Sequence, residues 1–176
     1  MVPAPEAKAA LRRRMRLMGD LIDDRLLRSV QLWADVAARA EYARAPVVMA
    51  FVTLAGEPDA DPLLARLDRD AKTLVLPRIA GAGLAAARVG EGMIPGTRGV
   101  PEPSGDVVEL DIHDLVLVPG LAFTIEGARL GRGGGHYDRF LRTCPATTIG
   151  VCFAEQLVDE LPLETHDICV SAVITC

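Results

Sequence analysis

Aromatic side chains make up only 4% of the 176 residues. A single-strand nucleic-acid platform, which stacks bases on successive Phe, Tyr or Trp faces, is therefore excluded. Positive charge is not in surplus either: the formal net charge is −5, so no global field draws in nucleic acid or an anionic membrane. Any anionic ligand must meet a local positive site. The four cysteines, Cys144, Cys152, Cys169 and Cys176, form no CxxC pair and no Cys/His spacing of a zinc site. They read as reduced thiols suited to the cytosol, with Cys152 and Cys169 in apolar runs as small core residues. No apolar stretch approaches the ~20 residues that span a bilayer, and the Arg-rich start carries no apolar signal region. Glu6, Asp20, Asp23 and Asp24 interrupt that start with acids that organellar transit peptides avoid. A cytoplasmic protein with neither nucleic-acid nor membrane partners is expected, acting as a monomer or weak dimer.

Half of the residues are apolar, and with few aromatics the core must come from Ala, Val, Leu and Ile, the composition of covered parallel sheets. Pro3 and Pro5 mark a loose beginning, after which Ala7 to Met18 consists of strong helix formers with a basic face. Lys8 and Arg12, four apart, project from one side and can grip one ligand; a solvated basic face has the same letters. Asp20 suits the cap of a second helix, with Leu21, Leu26, Leu27, Val30, Trp33, Val36 and Ala37 at helical spacing. From Pro46 onward short apolar runs take over: Val47 to Val52, Thr73 to Leu76, Leu115 to Val118, Thr148 to Phe153 and Cys169 to Ile174. Asp61 to Asp68 is helical in pattern and gives a βαβ unit with the expected right-handed crossover. Gly81 to Glu91 is ambiguous between helix and strand, and Gly92 to Asp106 reads as a long structured loop. The sum is an α/β fold: one domain over 1–176, a three-layer αβα sandwich around a mostly parallel sheet, with an N-terminal helical pair.

Chemistry concentrates in VPGLAFTIEGARLGRGGGHYDRFL, from Val118 onward. Gly131, Gly133, Gly134 and Gly135 let the main chain approach a ligand without Cβ atoms in the way. Arg129, Arg132 and Arg139 bring charge, and a helix starting near His136 adds its positive end. Anion binding is the natural reading, although a flexible surface turn can have the same glycines. No Lys-Ser/Thr pair follows, so this is not a Walker A loop, and the segment lies too late for a first-strand dinucleotide fingerprint. Asp138, just after the arc, suits a magnesium ion itself held by phosphates.

Pro119, Gly120, Ala122, Phe123, Gly127, Arg129, Leu130, Gly131, Gly133, Gly135, Tyr137, Asp138 and Arg139 together follow the pattern of the 5-formyltetrahydrofolate cyclo-ligase family, which this sequence resembles over nearly its whole length. Lys8 and Arg12 look like the family's phosphate contacts, Glu57 falls where a substrate-binding acid follows the first strand, and Val100 to Pro103 is similar to a family loop. Gly150, Phe153, Gln156, Pro162, His166, Asp167 and Thr175 match its C-terminal pattern. Two positions depart: His136 replaces an aromatic, and Gly134 stands where many members carry lysine, a loss that Arg132 can offset.

The resemblance implies ATP-dependent cyclisation of 5-formyltetrahydrofolate to 5,10-methenyltetrahydrofolate, with magnesium. ATP would lie against Lys8, Arg12, Arg129, Leu130, Gly131, Arg132, Gly133, Gly134, Gly135, His136 and Tyr137. Arg129 and Asp138 would be catalytic, Asp138 and Asp167 would hold the metal, and Glu57, Glu102, Arg132, His136 and the glycines Gly133 to Gly135 would meet the folate. Two rivals keep part of this picture. One is a phosphosugar isomerase or CoA-transferase relative using the arc for another phosphate; the other is a non-catalytic regulator that binds nucleotide or folate.

Overall fold

The computed structural model describes residues 4–96 and 99–176; Pro3, read as part of a loose start, lies outside them. The first helix, α1 (Ala4–Asp20), runs past the expected end at Met18. Asp20 is thus its last residue rather than the next helix's cap. That position belongs to Asp24, which has φ 50° and makes no side-chain cap bond. From it grows α2 (Arg25–Ala37), followed by the short α3 (Ala40–Arg44). The buried stripe of α2 is Ser29, Leu32, Trp33 and Val36. Leu26, Leu27 and Val30 lie on its solvent face and Leu21 is exposed before it, a correction to the apolar stripe read from spacing. Ser29, Leu32, Trp33 and Val36 recur at i, i+3, i+4 and i+7 and make the one stripe that faces the sheet, while Leu26, Leu27 and Val30 lie round the helix from it.

Strand β1 (Val47–Met49) leads through α4 (Asp61–Arg69) to β2 (Thr73–Ala80), its parallel neighbour. Pro62 in the first turn, Asp61 at the N-terminal end and Arg66 and Arg69 at the C-terminal end suit α4 to its place. The ambiguous alanine segment is a strand, β3 (Gly83–Arg88), paired antiparallel to β2. Cross-strand pairing outweighs the helix propensity of its alanines. The expected loop holds a two-stranded ribbon of β4 (Met93–Ile94) and β5 (Glu102–Pro103). Next come β6 (Leu115–Val118), the hairpin of β7 (Ala122–Phe123) and β8 (Arg129–Leu130), α5 (His136–Leu141), β9 (Thr147–Cys152) and β10 (Ala172–Thr175). Cys169 precedes β10 and is exposed, not a core residue, whereas Cys152 is buried.

The six-stranded sheet has the order β10-β9-β6-β1-β2-β3, parallel throughout except for the β2–β3 edge. Successive strand residues face opposite layers. Val48, Ala50, Leu76, Leu115, Leu117, Ile149 and Val151 pack with Leu32, Trp33 and Val36 of α2 and Leu63 and Leu67 of α4. Met49, Val75, Val116, Val118 and Cys152 pack on the other side with Leu141 of α5 and with Phe123 and Val170. Each fully buried Leu, Val or Ile contributes roughly 1.5–3 kcal/mol relative to exposure, so two closed layers stabilise the sheet from both faces. A third cluster docks α1, through Met15, onto Leu121, Ala122 and Leu130 of the β7–β8 hairpin.

Leaving β1, the chain first builds outward on one side to β2 and β3, then returns to the other side with β6. The carboxyl ends of β1 and β6 therefore send their loops apart, and a crevice opens between them, the usual ligand position in such sheets.

Candidate functional site at the switch point

That crevice is a cavity of about 470 Å³. Phe51 and Leu54 after β1, Pro77 and Ile79 on β2, Leu84 on β3 and Pro119 after β6 give it apolar walls, while every residue from Arg129 to Asp138 lines its opposite side. The segment bends because Gly133 (φ 103°) and Gly135 (φ 64°) occupy the left-handed region, which side-chain-bearing residues rarely adopt. Gly131 serves differently. A Cβ there would stand 2.7 Å from Arg129 Nη1, so its absence leaves room for the guanidinium.

Cations converge on this arc from two directions. From α1, Arg12 Nε donates to the Gly131 carbonyl at 2.9 Å and Arg16 Nη2 to the Arg132 carbonyl at 3.4 Å. Lys8, 5% exposed, donates to Glu164 Oε2 at 2.7 Å and also to Asp167 Oδ2. From the arc itself, Arg129 Nη2 donates to Asp138 Oδ1 at 3.2 Å, and the guanidinium lies 5.3 Å from the Tyr137 ring centroid, within cation–π range. The Asp138 side chain is only 16% exposed. The residue closes an ion pair with a buried arginine.

Glu57, 3% exposed, follows β1 in a tight turn. Its Oε2 accepts from the Leu54 N–H at 3.0 Å and its Oε1 from Arg132 Nε at 3.0 Å. Burial pushes this carboxyl above the ordinary range, against the opposing pull of Arg132. Burial likewise raises the Tyr137 phenol. Three buried polar atoms at the site, Arg129 Nε, His136 Nε2 and Tyr137 Oη, have no hydrogen-bond partner among the described residues. Buried groups of this kind are normally satisfied, so the cavity carries hydrogen-bonding capacity for a ligand. His136 Nδ1 lies 3.1 Å from the Ala82 carbonyl.

The family model for the 5-formyltetrahydrofolate cyclo-ligase family matches residues 4–176. The chain belongs to the 5-formyltetrahydrofolate cyclo-ligase family. Among its relatives, the 5-formyltetrahydrofolate cyclo-ligase of Escherichia coli K12 is 36% identical over 146 residues, covering 74% of this chain and 80% of its own. That of Mus musculus is 27% identical over 185 residues, covering 95% and 90%. The NMR structure of 5,10-methenyltetrahydrofolate synthetase from Aquifex aeolicus aligns with a TM-score of 0.82 at 29% identity, covering 96% of this chain and 89% of that one. This family member is accordingly a ligase with the family's α/β fold.

Against that frame of relatives, the placement of the expected residues in this cyclo-ligase is compact. Lys8, Arg12, Glu57, Glu102, the arc from Arg129 to Tyr137, Asp138 and Asp167 all line the one cavity. Residues the motif reading passed over line it too: Phe51, Leu84 and Glu164. Glu164 carried a faint signal, since it stands three before Asp167, and its N–H donates to Asp167 Oδ2 at 2.6 Å. The apolar wall residues carried none, because they are assembled from separate strands. No described helix is long and apolar enough to cross a membrane.

Proposed function

We propose that this chain converts 5-formyltetrahydrofolate and ATP to 5,10-methenyltetrahydrofolate, ADP and phosphate, with the glycine arc holding the triphosphate. The supporting observation is that one cavity joins an arc ringed by Lys8, Arg12, Arg129 and Arg132 to a buried carboxylate, Glu57, across apolar walls. An N5-formyl group is an amide, and its oxygen does not leave unaided. Transfer of the γ-phosphoryl group to that oxygen forms an O–P bond, breaks the γ-phosphate bond to ADP and leaves an activated imidate. N10 then attacks the formyl carbon and loses its proton, and the C–O bond breaks with phosphate as leaving group.

Each residue's part follows from its chemistry. Lys8 and Arg12 balance the charge of the triphosphate from α1, and Arg129 stabilises the negative charge that spreads over the transferring group. Glu57 accepts hydrogen bonds from the pterin, with Glu102 and His136 at the substrate's flanks. The arc glycines Gly133 to Gly135 allow both ligands to approach the main chain. The walls around Phe51, Ile79 and Leu84 exclude water that would hydrolyse the imidate.

The donors also fit magnesium. Arg129 and the Ile168 N–H take Asp138 Oδ1, and Lys8 and the Glu164 N–H take Asp167 Oδ2, leaving the second oxygen of each carboxylate outside these bonds. Among the described residues no three His, Cys, Asp or Glu side chains are grouped to hold an ion alone, so the remaining ligands would be phosphate oxygens and water, as magnesium prefers. When bound, the ion neutralises charge on the phosphates. This reading carries with it a cytoplasmic protein that meets its two small molecules as a monomer or weak dimer.

Incubation of the purified protein with 5-formyltetrahydrofolate, ATP and magnesium is expected to generate the near-ultraviolet absorbance of the methenyl product with stoichiometric ADP. Binding of both ligands without either product would instead identify a non-catalytic regulator.

A further inference from the structure

Arg132 belongs to the arc and reaches across the cavity lining to the turn that carries Glu57. Its Nε donates to Glu57 Oε1 at 3.0 Å and its Nη2 to the Ala55 carbonyl at 2.7 Å. Glu57 Oε2 is tied back to the Leu54 N–H, so the one carboxylate oxygen not committed to the turn is the one Arg132 holds. The arginine is the more exposed partner, 32% against 4% at the side chain. It is also the one residue with a side chain between Gly131 and Gly135, so little in its own segment resists a swing of the guanidinium. Glu57 therefore has a partner that competes with a pterin, and that partner sits on the arc beside Arg12 and Arg129.

We infer that Arg132 is a positioning residue that couples the two substrates: it holds Glu57 in the free protein, and a triphosphate on the arc draws it away and releases Glu57 to the folate ring. This rests on the reading of the arc and of Glu57 given above. A folate entering alone must break an ion pair to a buried carboxylate and satisfy that carboxylate with neutral donors, which is unfavourable. When a triphosphate is present, the guanidinium gains an anionic partner in the same step. Each ligand thus favours the state the other needs, and the coupling must be equal in both directions.

Calorimetric titration of 5-formyltetrahydrofolate, with and without a non-hydrolysable ATP analogue and magnesium, tests this. In the wild-type protein the analogue is expected to tighten folate binding on the order of tenfold, and folate to tighten the analogue equally. In Arg132→Ala, and in Arg132→Gln as a bulkier replacement should the first variant fail to fold, the ratio is expected to fall close to one. Wild-type affinities that do not depend on the second ligand, or variants that keep the full ratio, overturn the proposal while leaving the site reading intact. Glu57→Gln separates the two: unchanged folate affinity in that variant removes the folate role of Glu57 and the coupling with it.

Discussion

Asp138 faces two demands that a single substitution separates. Its Oδ1 neutralises Arg129, whose side chain is 4% exposed, and in the proposed function its carboxylate also holds magnesium. Asp138→Asn preserves shape but leaves a buried guanidinium without its counter-charge. Stability is expected to fall by about 1–3 kcal/mol, read from urea denaturation, and kcat/KM on the order of a hundredfold or more. Near-native turnover in that variant would remove Asp138 from the metal site. The same residue shows what was legible at this scale. The arc from Arg129 to Asp138 is contiguous in sequence, so glycine chemistry and charge exposed it directly. That Asp138 pairs with Arg129 was not legible, because spacing alone does not tell whether two side chains nine residues apart on either side of a bent glycine segment turn toward one another. Glu57 was identifiable only through family resemblance, since a lone acid after an apolar run is commonly a solvated loop residue.

Helix α1 is the element on which the site's geometry hangs. It brings Lys8 and Arg12 to the arc, and near its far end Gly19 meets the turn that carries Glu57: a Cβ on Gly19 would lie 2.9 Å from Gly56 Cα. An alanine inside a helix is ordinarily favoured over glycine by up to ~1 kcal/mol. Here backbone stands in the way, and main chain cannot rotate aside as a side chain can. Gly19→Ala is expected to destabilise the protein by about 1–2 kcal/mol net and to weaken folate binding while ATP binding changes less; unaltered stability and folate affinity would show that the turn yields freely. Elements were legible where local pattern and tertiary need agree, as in the apolar run of β6. Where the two conflict the pattern leaves the outcome open or misleads: the alanines of β3 favour helix locally, so that segment is ambiguous until it pairs with β2, and the apolar positions of α2 include Leu26, Leu27 and Val30, which lie on its exposed side.

Across the whole molecule, the parallel sheet and its two layers followed from strand-helix alternation, whereas the antiparallel edge depended on a pairing that no local signal specifies. Electrostatics at this scale sets the acid response. Glu155 lies below its ordinary range through its bond to Arg28, Glu41 through Arg39 and Asp70 through Tyr42. For Asp167 burial pushes upward, but the bond to Lys8 and the Glu164 N–H leave it net lowered. Groups whose folded values lie below their unfolded ones bind fewer protons in the native state, so the stability they lend is complete above the ordinary carboxyl range near 4 and disappears as pH falls through the lowered values. Glu57, raised by burial, has the opposite sign, favouring the folded state most below its unfolded value. Glu41, Asp70 and Glu155 are largely solvent-screened, so the effect is modest: the melting temperature is expected to hold from pH 7 to about 5 and to decline below pH 4; a rise on acidification would show that Glu57 dominates. The chain's single tryptophan offers a way to watch all of this. Trp33 is 2% exposed, and its ring centroid lies 6.2 Å from that of Phe51, which itself lines the cavity. The protein thus contains a native fluorophore one side chain removed from its ligands, and its emission should shift when the cavity fills, without any label.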